Sequence, residues 1–162
     1  MIIVSNSGPL IALSKLNLLF ILQDLFGEIV IPAEVWKEVV ERGKGKAGSE
    51  AIEEAKWIKV QDVGDDLSVE VLCRNIDRGE AEAIILAKRI NADILILDEK
   101  IAREIAMAVG LKVVGSLALI YEGIKRGIVD QTLAEIIKKM RERNIWISDE
   151  VIEEITKRNL YF

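Results

Sequence analysis

Short apolar runs rich in isoleucine and valine alternate along the chain with longer segments of helical periodicity. Runs of this kind, without regular polar interruption, are typical of parallel strands that are buried on both faces of a sheet. They predict five strands, at residues 2–4, 28–31, 57–60, 94–97 and 112–114.

The segments between the strands carry helix signals. Pro32 suits the first turn of one helix, Gly79 precedes the run "EAEAIILAKRI", and Gly110 ends the run "EKIAREIAMAV". This alternation predicts an α/β fold, a three-layer α/β/α sandwich of Rossmann-like type. Its sheet should be mainly parallel, with four to five strands and right-handed crossovers.

Two segments depart from the alternation. Residues 41–50, "ERGKGKAGSE", are glycine-rich and charged, which predicts a mobile loop between two helices. From Ser116 onward the pattern contains three helices and no further strand. The chain is therefore interpreted as one domain over residues 1–162, with an α/β core at 1–115 and a helical carboxy-terminal extension at 116–162.

The composition limits the kinds of binding and catalysis that the protein can perform. With 162 residues, of which 51% are hydrophobic, the chain has enough apolar material for one complete core. The net charge of −5 argues against a protein that coats nucleic acid through an overall positive field. Cys73 has no partner for an internal disulfide, and its apolar neighbours suggest a small buried side chain. The absence of histidine excludes His-based catalysis and His ligation of a metal, so any catalysis must rest on carboxylates.

The sequence contains no sign of a membrane segment. There is no run of eighteen apolar residues, and the amino terminus lacks the basic region and the cleavage site of a signal peptide. We therefore expect a soluble, cytoplasmic protein with no membrane partner.

Polar side chains are expected to meet at one edge of the predicted sheet, just beyond the carboxyl ends of its strands. Asn6 follows the first strand, which we expect to be central, and Asp98 directly follows the strand "ILIL". Glu80 opens the helix that leads into that same strand, so its first turn should lie over the strand's carboxyl end. Glu38, six positions after Pro32, is about 9 Å along a helix that starts at the same edge. These four side chains should lie close together.

Crowded carboxylates repel one another unless a cation or protons compensate. Because the donors are oxygen atoms only, Mg²⁺ or Mn²⁺ is the expected ion, and such a site can generate a hydroxide and stabilise a phosphodiester displacement. Structural interpretations stay open: Glu80 could complement a helix dipole, and Asp98 could be an N-cap. Glu82 is either solvated or a supporting residue, and Arg103 either pairs with Asp98 or contacts a substrate phosphate.

The chain resembles the PIN-domain family in the order and spacing of "IIVSNSGPLIAL", "VIPAEVWKEVV", "GEAEAIILAKRINADILILDEKIAREIA" and "GLKVVGSLALI". The last motif and the helical tail are similar to an uncharacterised PIN-like branch of archaea and bacteria. The resemblance covers most of the chain and implies a PIN-like fold and a Mg²⁺- or Mn²⁺-dependent ribonuclease. Many PIN proteins are toxins held by a small antitoxin partner, and PIN proteins commonly pair as homodimers.

The resemblance implies a role for each residue at the predicted edge. The family's first acidic position, normally Asp, falls on Asn6. The second, third and fourth acidic positions fall on Glu38, Glu80 and Asp98, which the resemblance implies as metal ligands.

Asn6 departs from the family pattern, because its side chain offers a neutral carbonyl oxygen in place of a carboxylate. The small hydroxyl residue that the family has beside this position matches Ser7, with Ser5 also adjacent. One hypothesis is that Asn6 still coordinates the ion or holds a bound water, so that metal affinity and nuclease rate are reduced rather than lost. The other is that Asn6 only satisfies backbone groups in the turn after the strand.

Two functions are therefore open. The first is a metal-dependent endoribonuclease that acts on single-stranded RNA, with a toxin-like role as one interpretation. The second is a nuclease-inactive PIN-like module that binds RNA or a protein partner through the same cleft, and Asn6 is the residue that favours it.

Overall fold

A five-stranded parallel sheet forms the centre of the computed structural model, which describes residues 1–64 and 66–157. Its strands are β1 (Ile3–Ser5), β2 (Ile29–Pro32), β3 (Ile58–Gln61), β4 (Ile94–Ile96) and β5 (Val113–Val114). The strand order is β3-β2-β1-β4-β5, and every neighbouring pair is parallel. The prediction of five strands is confirmed, with each end displaced by no more than one residue, and β1 is the central strand as expected.

Both faces of the sheet are buried at β1 and β4, where successive residues point to opposite sides and each side is covered. In β1, Ile3 belongs to one apolar cluster and Val4 to the other. In β4, Ile94 and Ile96 lie in the cluster of Ile3, whereas Leu95 lies in that of Val4. This double burial explains why the strands read as continuous apolar runs in the sequence.

Helices cover the two faces of the sheet as separate layers. The face of Val4 is covered by α5 (Leu67–Leu72), α6 (Arg78–Arg89) and α7 (Lys100–Ala108). The opposite face is covered by α1 (Ser7–Lys15), α2 (Phe20–Phe26), α4 (Ser49–Glu54), α8 (Ser116–Lys125), α9 (Leu133–Glu142) and α10 (Asp149–Lys157). The remaining helix, α3 (Ala33–Trp36), continues directly into a π-helical turn, Lys37–Glu41. The predicted α/β/α sandwich is therefore confirmed.

None of these helices, over residues 1–64 and 66–157, has by itself the length and apolar composition to cross a membrane. The pair α1 and α2 reaches the required length and composition only when the two helices are taken together, and the pair is bent by 116°.

The carboxy-terminal helices pack into the same core as the central strand. Leu119 and Ile120 of α8 are completely buried in the cluster that contains Ile3, and α8 contacts both α1 and α2. The same cluster receives further side chains from α9 and α10, namely Ile136, Met140 and Ile155. The division into a core at 1–115 and an extension at 116–162 stays a prediction, and residues 158–162 lie outside the described part of the chain.

The glycine-rich segment predicted at 41–50 is a shorter loop in the structure. Glu41 still belongs to the π-helical turn and α4 follows closely, so the loop spans residues 42–48. The end of the loop packs against α1, since a Cβ on Gly48 would lie 2.7 Å from Ser14 Oγ. Gly48 also has a φ of 90°. Only glycine combines this backbone conformation with the space available.

Cys73 is exposed, so the expectation of a buried cysteine is wrong. The helix α5 ends at Leu72, and the next side chain to enter the core is Ile76. The intervening turn therefore leaves Cys73 in contact with solvent.

We expect Gly48→Ala to destabilise the fold more than Gly45→Ala. Both glycines have a positive φ, 90° and 82° respectively, so alanine strains the backbone by about 1–2 kcal/mol at either position. Only at Gly48 does the new methyl group also meet Ser14, whereas a Cβ at Gly45 meets nothing within 4 Å. The free energy of unfolding, measured by urea titration, should fall by about 2–4 kcal/mol in Gly48→Ala. Equal decreases in the two variants would show that the loop is not anchored on α1.

Candidate active site

Asn6 lies buried at the carboxyl end of the central strand. Its backbone N–H donates to Ile96 O at 3.1 Å, which ties the end of β1 to the end of β4. Asn6 occupies the N-cap position of α1, yet within residues 1–64 and 66–157 its side chain makes no capping hydrogen bond and its buried Oδ1 meets no donor. This oxygen therefore does not satisfy backbone groups of the turn. A buried polar atom without a partner is costly, so this oxygen is expected to bind a water or an ion.

Glu38 approaches the same point from the π-helical turn. The Ser7 hydroxyl donates a hydrogen bond to its carboxylate. A Cβ placed on Gly79 would lie 3.1 Å from Glu38 Oε2 and 3.4 Å from Asn6 Oδ1, so the missing side chain lets these oxygens converge over the start of α6. Burial raises the pKa of Glu38; the Ser7 hydrogen bond opposes this rise, and the charge of Asp77 adds to it.

Glu80 lies in the first turn of α6 and is only 7% exposed. It forms a capping box with Asp77: the Asp77 N–H donates to Glu80 Oε2 at 3.0 Å, and the Glu80 N–H donates to Asp77 Oδ1 at 2.8 Å. Burial raises the pKa of Glu80. The hydrogen bond from the Asp77 backbone opposes this rise, and the charges of Asp77, Glu99 and Glu38 add to it. Glu80 thus caps the start of α6 and also belongs to a cluster of acidic side chains.

Asp98 is bound to the first residue of α8. The backbone N–H of Ser116 donates to Asp98 Oδ1 at 2.7 Å, and the Ser116 hydroxyl donates to Oδ2 at 2.8 Å. Burial among neighbouring atoms raises the pKa of Asp98, and the Ser116 hydrogen bonds and the Arg103 charge oppose that rise. The residue as a whole lies at the surface, and both oxygens of its carboxylate are held by hydrogen bonds. Asp98 does not cap α7; Glu99 does, by accepting from the Ala102 N–H at 2.9 Å.

Arg103 lies beside Asp98. Its Nη1 donates to Leu97 O at 3.2 Å. A Cβ on Gly115 would lie 2.8 Å from Arg103 Nη1 and 3.0 Å from Asp98 Oδ1, so Gly115 leaves room for both groups at the end of β5. The structure therefore favours the structural interpretation, in which Arg103 supports the charged form of Asp98.

Two further predicted residues face away from this cluster. Glu82 is buried, accepts a hydrogen bond from the Glu34 backbone at the start of α3, and pairs with Arg78 Nε at 3.3 Å. Ser5 is completely buried and donates from Oγ to Asn6 O at 3.0 Å. Both residues hold the scaffold of the site together.

Three residues at this edge were not among the predicted site residues, namely Asp77, Glu99 and Ser116. The spacing of Asp77 and Glu80 matches the acidic form of the capping box, which could have marked Asp77 in the sequence. Ser116 follows β5, whose end lies beside that of β4 because Ile96 pairs with Val114. The place of Ser116 just after β5, at the same edge of the sheet, is the signal in the sequence that could have marked it.

The donor set of the site suits a hard divalent cation. Within the described ranges, no three acidic or cysteine side chains are placed to hold a metal ion together. Glu38, Glu80 and the Oδ1 of Asn6 nevertheless fit Mg²⁺ or Mn²⁺, since Mg²⁺ in proteins binds through one or two carboxylates and keeps several waters. A cation would also offset the repulsion that raises the pKa of both glutamates. A metal role for Asp98 stays a prediction.

We expect Glu80→Gln to stabilise the protein in the absence of divalent metal. The amide oxygen can still accept from Asp77, while a buried charge among other carboxylates is removed. At pH 7 the gain should be on the order of 1 kcal/mol, which corresponds to about 2–4 °C in Tm for a chain of this size. Because the folded-state pKa of Glu80 is raised above the usual value of 4.5, the gain should vanish as the pH falls below 4.5, where the native Glu80 is protonated.

Thermal melts at pH 7 and at acidic pH, with and without EDTA, measure this difference. Glu54→Gln, in an exposed part of α4, is the matched control and should leave Tm unchanged. A lower Tm for Glu80→Gln at pH 7 would contradict the electrostatic account of the site.

The sequence matches a known protein family over nearly its whole length. Residues 2–159 match the model of DUF3368, a PIN domain. No curated protein matches the chain. PIN domains generally use divalent metals, and the family is associated with nuclease activity and RNA binding. Since the match extends over nearly the whole sequence and the fold is the α/β sandwich expected of it, the chain belongs to the PIN-domain family.

Proposed function

We propose that the protein is a metal-dependent endoribonuclease of PIN type that acts on single-stranded RNA. The observation that carries this proposal is the convergence of Asn6 Oδ1, buried and without a donor among the described residues, with Glu38 Oε2 beside Gly79. Glu80 adds a buried carboxylate from the first turn of α6, next to Gly79. Oxygen donors crowded in this way favour a bound Mg²⁺ or Mn²⁺.

Each residue of the proposed site has a distinct task. Glu38, Glu80 and Asn6 would hold the ion, and Ser7 orients Glu38 through its hydroxyl. Asp98, with both oxygens held by Ser116, supplies the fourth position of the family pattern. When bound, the ion would supply an activated water and stabilise the charge that develops on the phosphodiester.

Asn6 sets the strength of this activity in the proposal. A neutral amide oxygen gives the site one negative charge fewer than an aspartate would, which lowers the attraction for a divalent cation. We therefore expect weak cleavage. The alternative, a nuclease-inactive module that binds RNA or a protein partner, is favoured by the same neutral side chain together with the engagement of both Asp98 oxygens by Ser116.

The proposal extends to a cytoplasmic setting, to a homodimer and, for a toxin-like role, to a small antitoxin partner. These three points rest on the family resemblance. Size-exclusion chromatography with light scattering on the pure protein tests the homodimer directly, and a monomer at micromolar concentration would contradict it.

Mn²⁺-dependent cleavage of a mixed-sequence single-stranded RNA by the pure protein tests the activity. Glu38→Gln and Glu80→Gln should lower the rate by about 100-fold or more, since each removes a charge that the ion needs. Glu54→Gln should cleave at the native rate. Cleavage that is unchanged in Glu38→Gln and Glu80→Gln would point to a contaminating nuclease and contradict the proposal.

Asn6→Asp should increase both metal binding and cleavage. The added carboxylate is buried beside Glu38, so the variant should have a lower Tm than the native protein in EDTA and a larger rise in Tm when Mn²⁺ is added. Absence of native cleavage, with activity appearing in Asn6→Asp, would select the alternative function. A variant that neither cleaves nor responds to Mn²⁺ would exclude metal binding at this position.

A further inference from the structure

The acidic edge cannot by itself hold a polyanion. Glu38, Glu80, Asp77 and Glu99 contribute negative charge there, and the whole chain has a net charge of −5. Binding of single-stranded nucleic acid depends on cations that neutralise phosphates and on aromatic faces that stack with bases. A cationic surface elsewhere on the protein would therefore strengthen the binding of such a substrate.

Such a surface exists at the opposite end of α1. A pocket of about 890 Å³ lies between the end of α1, the start of α2, the loop 42–48 and the end of α9. Three cationic side chains line it, Lys15, Lys46 and Arg143, against one acidic side chain, Glu50. The local charge of the pocket is thus opposite in sign to that of the chain.

The cationic side chains of the pocket lie on segments that are held in place by contacts with α1. The Arg143 guanidinium donates to the carbonyl oxygen of Lys15, which joins the end of α9 to the end of α1. The loop that carries Lys46 is held against α1 by the close approach of Gly48 to Ser14. Anchoring at both sides limits the conformational entropy that ligand binding would cost.

An aromatic ring completes the pocket. Phe20 is 43% exposed although it is a large apolar residue, and it lines the pocket together with Leu19. An exposed ring beside cations suits a nucleobase with its neighbouring phosphates, because every base has a face that can stack. A duplex hides those faces, so this combination selects single strands.

A single helix, α1, connects the proposed active site to the pocket. The helix α1 begins at Ser7, directly after Asn6, and ends at Lys15 in the pocket. Its length is about 12 Å at 1.5 Å per residue. A single strand of several nucleotides can therefore contact both ends of α1.

We propose that this pocket is an anchoring site for single-stranded RNA, with Phe20 stacking on a base and Lys15, Lys46 and Arg143 contacting phosphates. The choice of RNA as the ligand rests on the proposed function, whereas the assignment of the pocket rests on its own residues. The anchor holds the strand, and the acidic edge acts on a neighbouring part of it.

Fluorescence anisotropy with a short, labelled, mixed-sequence single-stranded RNA tests the anchor. The full chain is titrated in EDTA, so that binding is measured without cleavage. Phe20→Leu should weaken binding by about tenfold because it removes the ring, and Phe20→Tyr, which keeps the ring, should restore it. Both substitutions keep a largely apolar side chain of similar size, and circular dichroism melts establish that each variant is folded.

The charge of the pocket is tested by the salt dependence of the same titration. The double variant Lys15→Ala, Lys46→Ala should bind more weakly, and the slope of log Kd against log salt should fall by about 0.7 for each phosphate that the variant no longer neutralises. Lys56→Ala is the matched control, because this lysine is exposed and lies outside the pocket lining. It should bind like the native protein.

The possible outcomes separate the anchor from the nuclease. Pocket-dependent binding without any cleavage supports the anchor and contradicts the proposed nuclease. Cleavage that depends on Glu80, with binding unchanged in every pocket variant, supports the nuclease and overturns the anchor. Absence of binding to the native protein, or complete displacement of the RNA by millimolar inorganic phosphate, also overturns it, the latter because it would indicate a simple anion site.

Discussion

Burial of negative charge at the carboxyl end of the central strand is the constraint on which the site depends. The strand β1 pairs in parallel with β2 on one side and β4 on the other, so the segments that follow these strands begin at the same edge. Oxygens of Asn6 and Glu38 converge there beside Gly79, Glu80 is the next residue, and burial raises the pKa of both glutamates. Buried charges persist only where hydrogen bonds or a counter-charge offset their desolvation. The buried Oδ1 of Asn6 marks the point at which a cation would supply that counter-charge.

Small residues leave space for the polar side chains at this edge of the sheet, and the charges of the protein are divided between the two ends of α1. Gly79 and Gly115 leave the space into which side-chain oxygens and a guanidinium converge, while Ser116 holds both oxygens of Asp98. Cations gather instead at the far end of α1, around Lys15. The two ends of one helix thus carry opposite local charges, which would keep the proposed metal site and the proposed RNA anchor from neutralising one another.

The sequence predicted most of the fold but a smaller part of the site. The five strands, their parallel arrangement and the central place of β1 follow from apolar runs and are confirmed. The meeting of Asn6 and Glu38 was expected from the topology, and the structure places both oxygens beside Gly79. The π-helical turn that carries Glu38 was not predicted, since an extra residue in one helical turn leaves no clear trace in a short apolar pattern. The burial predicted for Cys73 was wrong because it depended on where α5 ends.

The sequence by itself determined which segments form strands and helices, and it placed Asn6 and Asp98 directly after two of the predicted strands. These are local properties, because the period of apolar residues reflects burial within each element. Only the tertiary structure decided the partners of those polar residues. Asp98 meets Ser116 and Glu80 meets Asp77 within hydrogen-bonding distance, while the Oδ1 of Asn6 meets no donor among the described residues. Partners of this kind depend on side-chain rotamers and on the packing of segments distant in sequence, which hydrophobic periodicity does not encode.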